Sequence, residues 1–143
     1  MIKEVIKKLA EKSNLTFTET YGAMKEIING TATQTQIGAF LACMKMKGET
    51  IDEITACVKA MKESCIKINP KVSGRLVDVC GTGGDKIKTF NISTVTAFIV
   101  SGAGITVAKH CNRAVTGQCG SADLLERFGI NINSTPKTVK DEI

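Results

Sequence analysis

The sequence predicts an α/β protein preceded by a separate, all-helical N-terminal domain. Four segments with helical periodicity fill the first 68 residues, with no strand-like run among them. After them come a strand-like run, a glycine-rich loop, a helical stretch and a second strand-like run, the order that begins a parallel α/β sheet. Between these textures Asn69-Pro70 interrupts the pattern, and the stretch through Gly74 reads as a connector. The expected division is residues 1–68 as a helical domain, 69–75 as a hinge, and 76–143 as the start of the α/β domain.

Each element has its own signal. Ile2, Val5, Ile6 and Leu9 form one apolar stripe. Thr18 is expected to cap a second helix that stops at Asn29-Gly30. Thr33 with Gln36 has capping-box spacing and opens a helix running to Gly48. Thr50 with Glu53 repeats that spacing before the apolar series Ile54, Cys57, Val58, Met61 and Cys65. Leu76 to Cys80 reads as the first strand, Asn91 to Ser101 as a helix, and Ile105 to Ala108 as the second strand. Ser121 is expected to cap a helix through Ala122, Leu124, Leu125 and Phe128, closed by Gly129. Thr135-Pro136 starts another, with seven residues after the proline. Two strands are few for a sheet, so the α/β domain is expected to be truncated.

Composition narrows the class. Apolar residues make up 43% and charged residues 23%, which is globular. No apolar run approaches the roughly 20 residues that span a bilayer. The opening MIKEVIKKLAEKS lacks a signal peptide's apolar core, and a cytoplasmic location is expected. A net charge of +5 suits an anionic small ligand. With 4% aromatics, no Trp and no interleaved basic block, nucleic acid is not expected as a partner. The six cysteines (Cys43, Cys57, Cys65, Cys80, Cys111 and Cys119) form no C-x-x-C pair and read as small, buried, reduced hydrophobes. His110, Cys111 and Cys119 lack a fourth ligand and fit no zinc spacing.

Four features carry chemistry. Gly81-Thr82-Gly83-Gly84-Asp85 follows the first strand, and such a turn can line up backbone N–H groups as an anion nest. Lys86 stands where a dinucleotide fingerprint has its third glycine, and a plain tight turn is the alternative. Thr89-Phe90-Asn91-Ile92-Ser93-Thr94 opens the next helix, with Asn91 as N-cap, Ser93 and Thr94 as hydroxyl donors, and Ser93 also an oxygen for Mg2+. An ordinary capped helix is the alternative there. Lys109-His110-Cys111-Asn112-Arg113 leaves the second strand at its C-terminal end, where α/β sheets gather ligands. Gly120-Ser121-Ala122-Asp123 begins another helix, either turned toward the same site or simply capped.

In order and spacing, GTGGD, TFNIST, KHCNR and CGSADLLE resemble the anthranilate phosphoribosyltransferase family, and TQTQIGAFLACMKMKGET resembles its helical domain. The resemblance implies transfer of a phosphoribosyl group from 5-phosphoribosyl 1-diphosphate to the amine of anthranilate, in tryptophan biosynthesis. It implies Mg2+ as cofactor and a homodimer formed through the helical domain. Gly81, Gly84 and Asp85 are implied around the diphosphate, and Thr89, Asn91, Ile92, Ser93 and Thr94 on the same substrate, with Ser93 also on the metal. Lys109, His110, Cys111, Asn112 and Arg113 are implied as the start of a loop over it, continuing through Ala114, Val115, Thr116 and Gly117, with Ser121 completing the set. Gly81 and Asn112 are also implied near anthranilate. No catalytic nucleophile is assigned.

Three departures stand out. Cys111 occupies a usual glycine position, and Thr116-Gly117 replaces a common Ser-Ser pair. The family's Asp-Glu metal pair and an anthranilate-binding arginine belong to a later segment, so little or no turnover is expected of this polypeptide alone. The alternatives are a related pyrimidine nucleoside phosphorylase-like enzyme and a non-catalytic helical interaction module.

Overall fold

A computed structural model describes residues 1–81, 90–111, 113 and 120–143. The chain divides into two units, Met1–Ile66 and Lys67–Ile143. The first contains α1 (Ile2–Ala10), α2 (Phe17–Ile28), α3 (Gln34–Lys47) and α4 (Ile51–Ser64). The described residues of the second form β1 (Leu76–Val77), α5 (Ile92–Gly102), β2 (Thr106–Val107), α6 (Ser121–Arg127) and α7 (Pro136–Glu142). An all-helical part followed by an α/β part is the fold class that the sequence predicts.

In the helical unit, α2, α3 and α4 all begin with a reciprocal Thr–Glu or Thr–Gln cap. At α2 the cap is Thr16, not Thr18. Thr16 has Glu19 three residues on, and Glu19 Oε2 accepts the Thr16 N–H at 2.9 Å. Thr18 is followed at that spacing by Tyr21, which offers no carboxylate to complete the box. Gly30, at φ +72°, stops α2 just past its C-cap Asn29.

Ile2, Val5 and Leu9 of α1 join Leu15, Ala23, Ala32, Phe40 and Met44 in the core. Helix α4 packs on α2 through small residues: its buried positions are Glu53, Ala56 and Ala60, and those of α2 are Thr20 and Ala23. The apolar series of α4 therefore points away from this core. Ile51 is 82% exposed, and Ile54, Val58 and Met61 are each about half exposed. The cysteines also depart from the expected burial. Cys43, Cys57 and Cys111 are half-buried and Cys65 and Cys80 exposed, while Cys119 lies outside the described residues.

One buried ion pair ties the helical unit together. Lys47 Nζ donates to Glu53 Oε2 at 2.9 Å, to Asn14 Oδ1 at 3.1 Å and to the Gly48 carbonyl at 2.8 Å. Glu53 also accepts the N–H groups of Leu15 (2.8 Å) and Thr50 (2.7 Å). Every proton of the ammonium has an acceptor, so this charge is buried at tolerable cost.

In the second unit β1 and β2 pair in parallel, Leu76 opposite Thr106 and Val77 opposite Val107. Both strands are shorter than the apolar runs that announce them, because side chains replace the ladder beyond Val77. Asp78 Oδ1 accepts the His110 N–H at 3.2 Å, and Lys109 Nζ donates to the Val79 carbonyl at 3.3 Å. Helix α5 packs on β2. Helix α6 is capped by Gly120, not Ser121: the Gly120 N–H donates to Asp123 Oδ2 at 2.8 Å, which frees the Ser121 hydroxyl for a different task. Thr135 caps α7 with Pro136 in its first turn, as its sequence predicts.

Candidate functional site

Parallel strands deliver their C-terminal ends to one edge of a sheet, so the segments leaving β1 and β2 depart side by side. Asn91, the N-cap of α5, organises what gathers there. Its Oδ1 accepts the Thr94 N–H at 3.2 Å, the Thr94 hydroxyl at 2.9 Å and the Ser93 hydroxyl at 3.1 Å. Its Nδ2 donates to Ser121 Oγ at 3.1 Å. Thr94 Oγ1 is also 2.9 Å from Ser121 Oγ, and Thr94 is 1% exposed. One amide thus locks three hydroxyls from the starts of two helices.

Lys109 brings the charge. Its Nζ donates to Ser93 Oγ and to the Val79 carbonyl, each at 3.3 Å. Among the described residues two of the ammonium's three donors are used, and the third suits an anion. Gly81 lies beside the cluster: a Cβ there would stand 3.5 Å from Ser93 Oγ, in ordinary contact.

Arg113 is differently engaged. Its Nη1 and Nη2 donate to Glu126 Oε2 and Oε1 at 2.6 and 2.8 Å, and Nη1 also to Asp123 Oδ1 at 3.2 Å. Glu126 first, then Asp123, hold the guanidinium above even its usual basicity. His110 Nδ1 lies 3.5 Å from Cys80 Sγ, with the direction of donation set by the ring tautomer.

Of the residues singled out in the sequence, Gly81, Asn91, Ser93, Thr94, Lys109 and Ser121 come together. Ile92 is over half exposed and its N–H donates to the Phe90 carbonyl at 2.7 Å. His110 and Cys111 follow Lys109, with the His110 ring against Cys80. Gly84, Asp85, Thr89, Asn112, Ala114, Val115, Thr116 and Gly117 lie outside the described residues. Sequence reasoning missed Asp78, the Val79 carbonyl, Cys80 and Glu126. The first three follow from aligning the two strands at their observed offset, which sets Asp78, Val79 and Cys80 beside Ala108, Lys109 and His110. Glu126 carries a fainter signal, sharing a face of α6 with Asp123 three residues earlier.

The cluster offers hydroxyls, an amide and an ammonium, which is chemistry for phosphate oxygens and not for proton abstraction. A hollow of about 400 Å³ elsewhere in the unit is lined by Lys71, Lys140, Asp141 and Ile143 and shares no residue with the cluster. Convergence of polar groups, not hollow size, marks the site. Among the described residues no helix is long and apolar enough to cross a membrane.

Comparison with known proteins agrees along nearly the whole chain. Residues 3–65 match the helical bundle domain of the glycosyl transferase family, and residues 73–143 match its a/b domain. An anthranilate phosphoribosyltransferase of Methanocorpusculum labreanum is 55% identical over 139 residues, covering 97% of this chain and 41% of that protein. That of Persephonella marina is 46% identical over 143 residues, covering 100% of this chain and 42% of the relative. The crystal structure of anthranilate phosphoribosyltransferase from Thermus thermophilus superposes with a TM-score of 0.75 at 32% identity, covering 95% of this chain and 42% of that one. The chain spans about two-fifths of the length of the curated relatives it matches.

Proposed function

The chain belongs to the glycosyl transferase family whose helical-bundle and α/β domains it matches, and we propose that its α/β unit binds 5-phosphoribosyl 1-diphosphate as part of an anthranilate phosphoribosyltransferase of tryptophan biosynthesis. One observation carries this: the Lys109 ammonium donates to Ser93 Oγ, one of the three hydroxyls that Asn91 gathers from the starts of α5 and α6. Those groups suit an anionic, oxygen-rich donor substrate.

In the proposed reaction the amine nitrogen of anthranilate bonds to C1 of the ribose as the bond from C1 to the diphosphate oxygen breaks. The electron pair leaves with the diphosphate, and the amine then loses a proton. Charge grows on the leaving group, so preorganised donors aimed at it lower the barrier. Lys109 takes that role, held in place by Ser93 and the Val79 carbonyl. Ser93, Thr94 and Ser121 supply hydroxyls. Gly81, Gly84 and Asp85 are assigned to the diphosphate, Thr89 and the loop from Lys109 through Gly117, Arg113 apart, to the rest of the donor, and Asn112 with Gly81 to anthranilate. No residue is assigned as base or nucleophile.

Mg2+ enters only with its substrate. Ser93 Oγ is a neutral oxygen of the kind this ion accepts, but the Lys109 ammonium is 3.3 Å away. Among the described residues no group of three or more His, Cys, Asp or Glu is placed to hold a metal ion. In the proposal the ion arrives on the diphosphate, with Ser93 Oγ the oxygen offered to it.

The outward apolar stripe of α4 supports a homodimer through the helical unit, and a cytoplasmic location completes the reading. Calorimetric titration with phosphoribosyl diphosphate, with and without Mg2+, tests it. Saturable binding that falls at least tenfold in Lys109→Ala is expected, with no measurable turnover of anthranilate by the 143-residue chain. A folded chain that does not bind the donor overturns the proposal.

A further inference from the structure

We propose that Arg113 is a positioning residue: it clamps α6 through Glu126 and Asp123 so that Ser121 stays on Asn91 and Thr94. The clamp is a two-pronged guanidinium–carboxylate pair at 2.6 and 2.8 Å, with Asp123 on the same Nη1 at 3.2 Å. The other oxygen of Asp123 holds the Gly120 N–H at 2.8 Å, so the clamp continues into the first turn of α6. Ser121 is the next residue, and its hydroxyl sits 3.1 Å from Asn91 Nδ2 and 2.9 Å from Thr94 Oγ1.

Three physical points make this more than a surface ion pair. Helix α6 has seven residues, too few to hold itself without outside contacts. A planar fork engaging both oxygens of one carboxylate fixes orientation as well as distance, which a point charge does not. Thr94 is buried, so withdrawing the Ser121 hydroxyl costs it one of its two side-chain hydrogen-bond contacts and leaves Asn91 Oδ1 as the other. Arg113 is thereby removed from direct contact with phosphate and acts through Ser121.

The binding readout rests on the donor-binding reading above; the structural readout does not. The full chain and its Arg113→Met, Arg113→Lys, Glu126→Gln and Arg113→Met/Glu126→Gln variants are titrated with phosphoribosyl diphosphate and Mg2+. Exchange of the Asn91 side-chain amide protons is followed by NMR without ligand. Thermal unfolding identifies any variant that does not fold, and Arg113→Lys, which keeps the charge and loses the fork, then stands in for Arg113→Met.

Each single substitution is expected to weaken binding about two- to fivefold and to speed Asn91 amide exchange. The double variant is expected to be no weaker than either single one, because both remove one clamp. If Arg113→Met costs as much affinity in the Glu126→Gln background as alone, Arg113 is a phosphate ligand and the inference fails. Unchanged Asn91 exchange in Glu126→Gln also overturns it. If the parent chain does not bind the donor, the functional proposal falls, while Asn91 exchange still decides the clamp.

Discussion

Thr94 shows how one hydroxyl connects structure to chemistry. It is almost wholly buried, and its oxygen lies between Asn91 Oδ1 and Ser121 Oγ, each at 2.9 Å. Thr94→Val keeps the shape and removes the hydrogen bond, leaving two polar neighbours short of a partner. The expected loss is about 1–2 kcal/mol in the stability of the α/β unit, read by denaturant unfolding, together with weaker donor binding. An unchanged midpoint would mean that water or a neighbour satisfies the gap. Asn91 was legible as an N-cap because its partner is three residues away. Ser121 was legible only as a helix-start residue, because its partners are 27 and 30 residues distant.

At the scale of elements, short-range hydrogen bonds decide where helices begin. The cap of α2 provides a direct comparison between two threonines two residues apart. Thr16→Ala removes the box with Glu19 and is expected to cost about 1 kcal/mol of the helical unit's stability. Thr18→Ala, at an exposed position inside the helix, is expected to leave it unchanged or slightly improved. Equal losses would return the cap to Thr18. Helix α4 carries the opposite lesson. Its periodicity is plain, yet its core face is Glu53, Ala56 and Ala60, where small side chains let α2 approach. The larger apolar residues face outward. Val58→Glu in that stripe is expected to shift the chain from dimer to monomer on a sizing column with its helical content retained. A monomeric parent chain would remove the homodimer from the proposed function.

For each unit as a whole, acid is an informative stress. In the helical unit the Lys8 hydrogen bond, helped by the Thr16 N–H, lowers the Glu19 carboxyl to about 2. Burial alone would raise Glu53, but Lys47 and the Leu15 and Thr50 N–H groups outweigh it and hold that carboxyl below its ordinary value. Groups whose folded values are depressed stabilise the fold above their unfolded value, and that stability drains away as pH falls toward the folded one. The melting midpoint of the helical unit is therefore expected to be level from pH 7 to about 5. It then falls between the ordinary carboxylate value of 4.5 and about 2. Glu19→Gln should flatten part of that slope, and added salt should shrink the Glu19 share, since this pair is partly exposed. A midpoint level down to pH 2 would show that neither carboxylate matters to folding.

Those same distances separate what the sequence determined from what tertiary structure decided. The sequence by itself settled the order of helical and α/β parts, the capping of α3, α4, α5 and α7, the glycine stops and the parallel pairing. Each is written in groups a few residues apart, or in a periodicity that one segment carries alone. Tertiary structure decided which face of α4 is buried, how short the strands are, what Ser121 bonds to and where the charge of Arg113 goes. The partners in those cases lie from 10 to 38 residues away, and a side chain's donors do not name their acceptors until the backbone brings them within hydrogen-bond range.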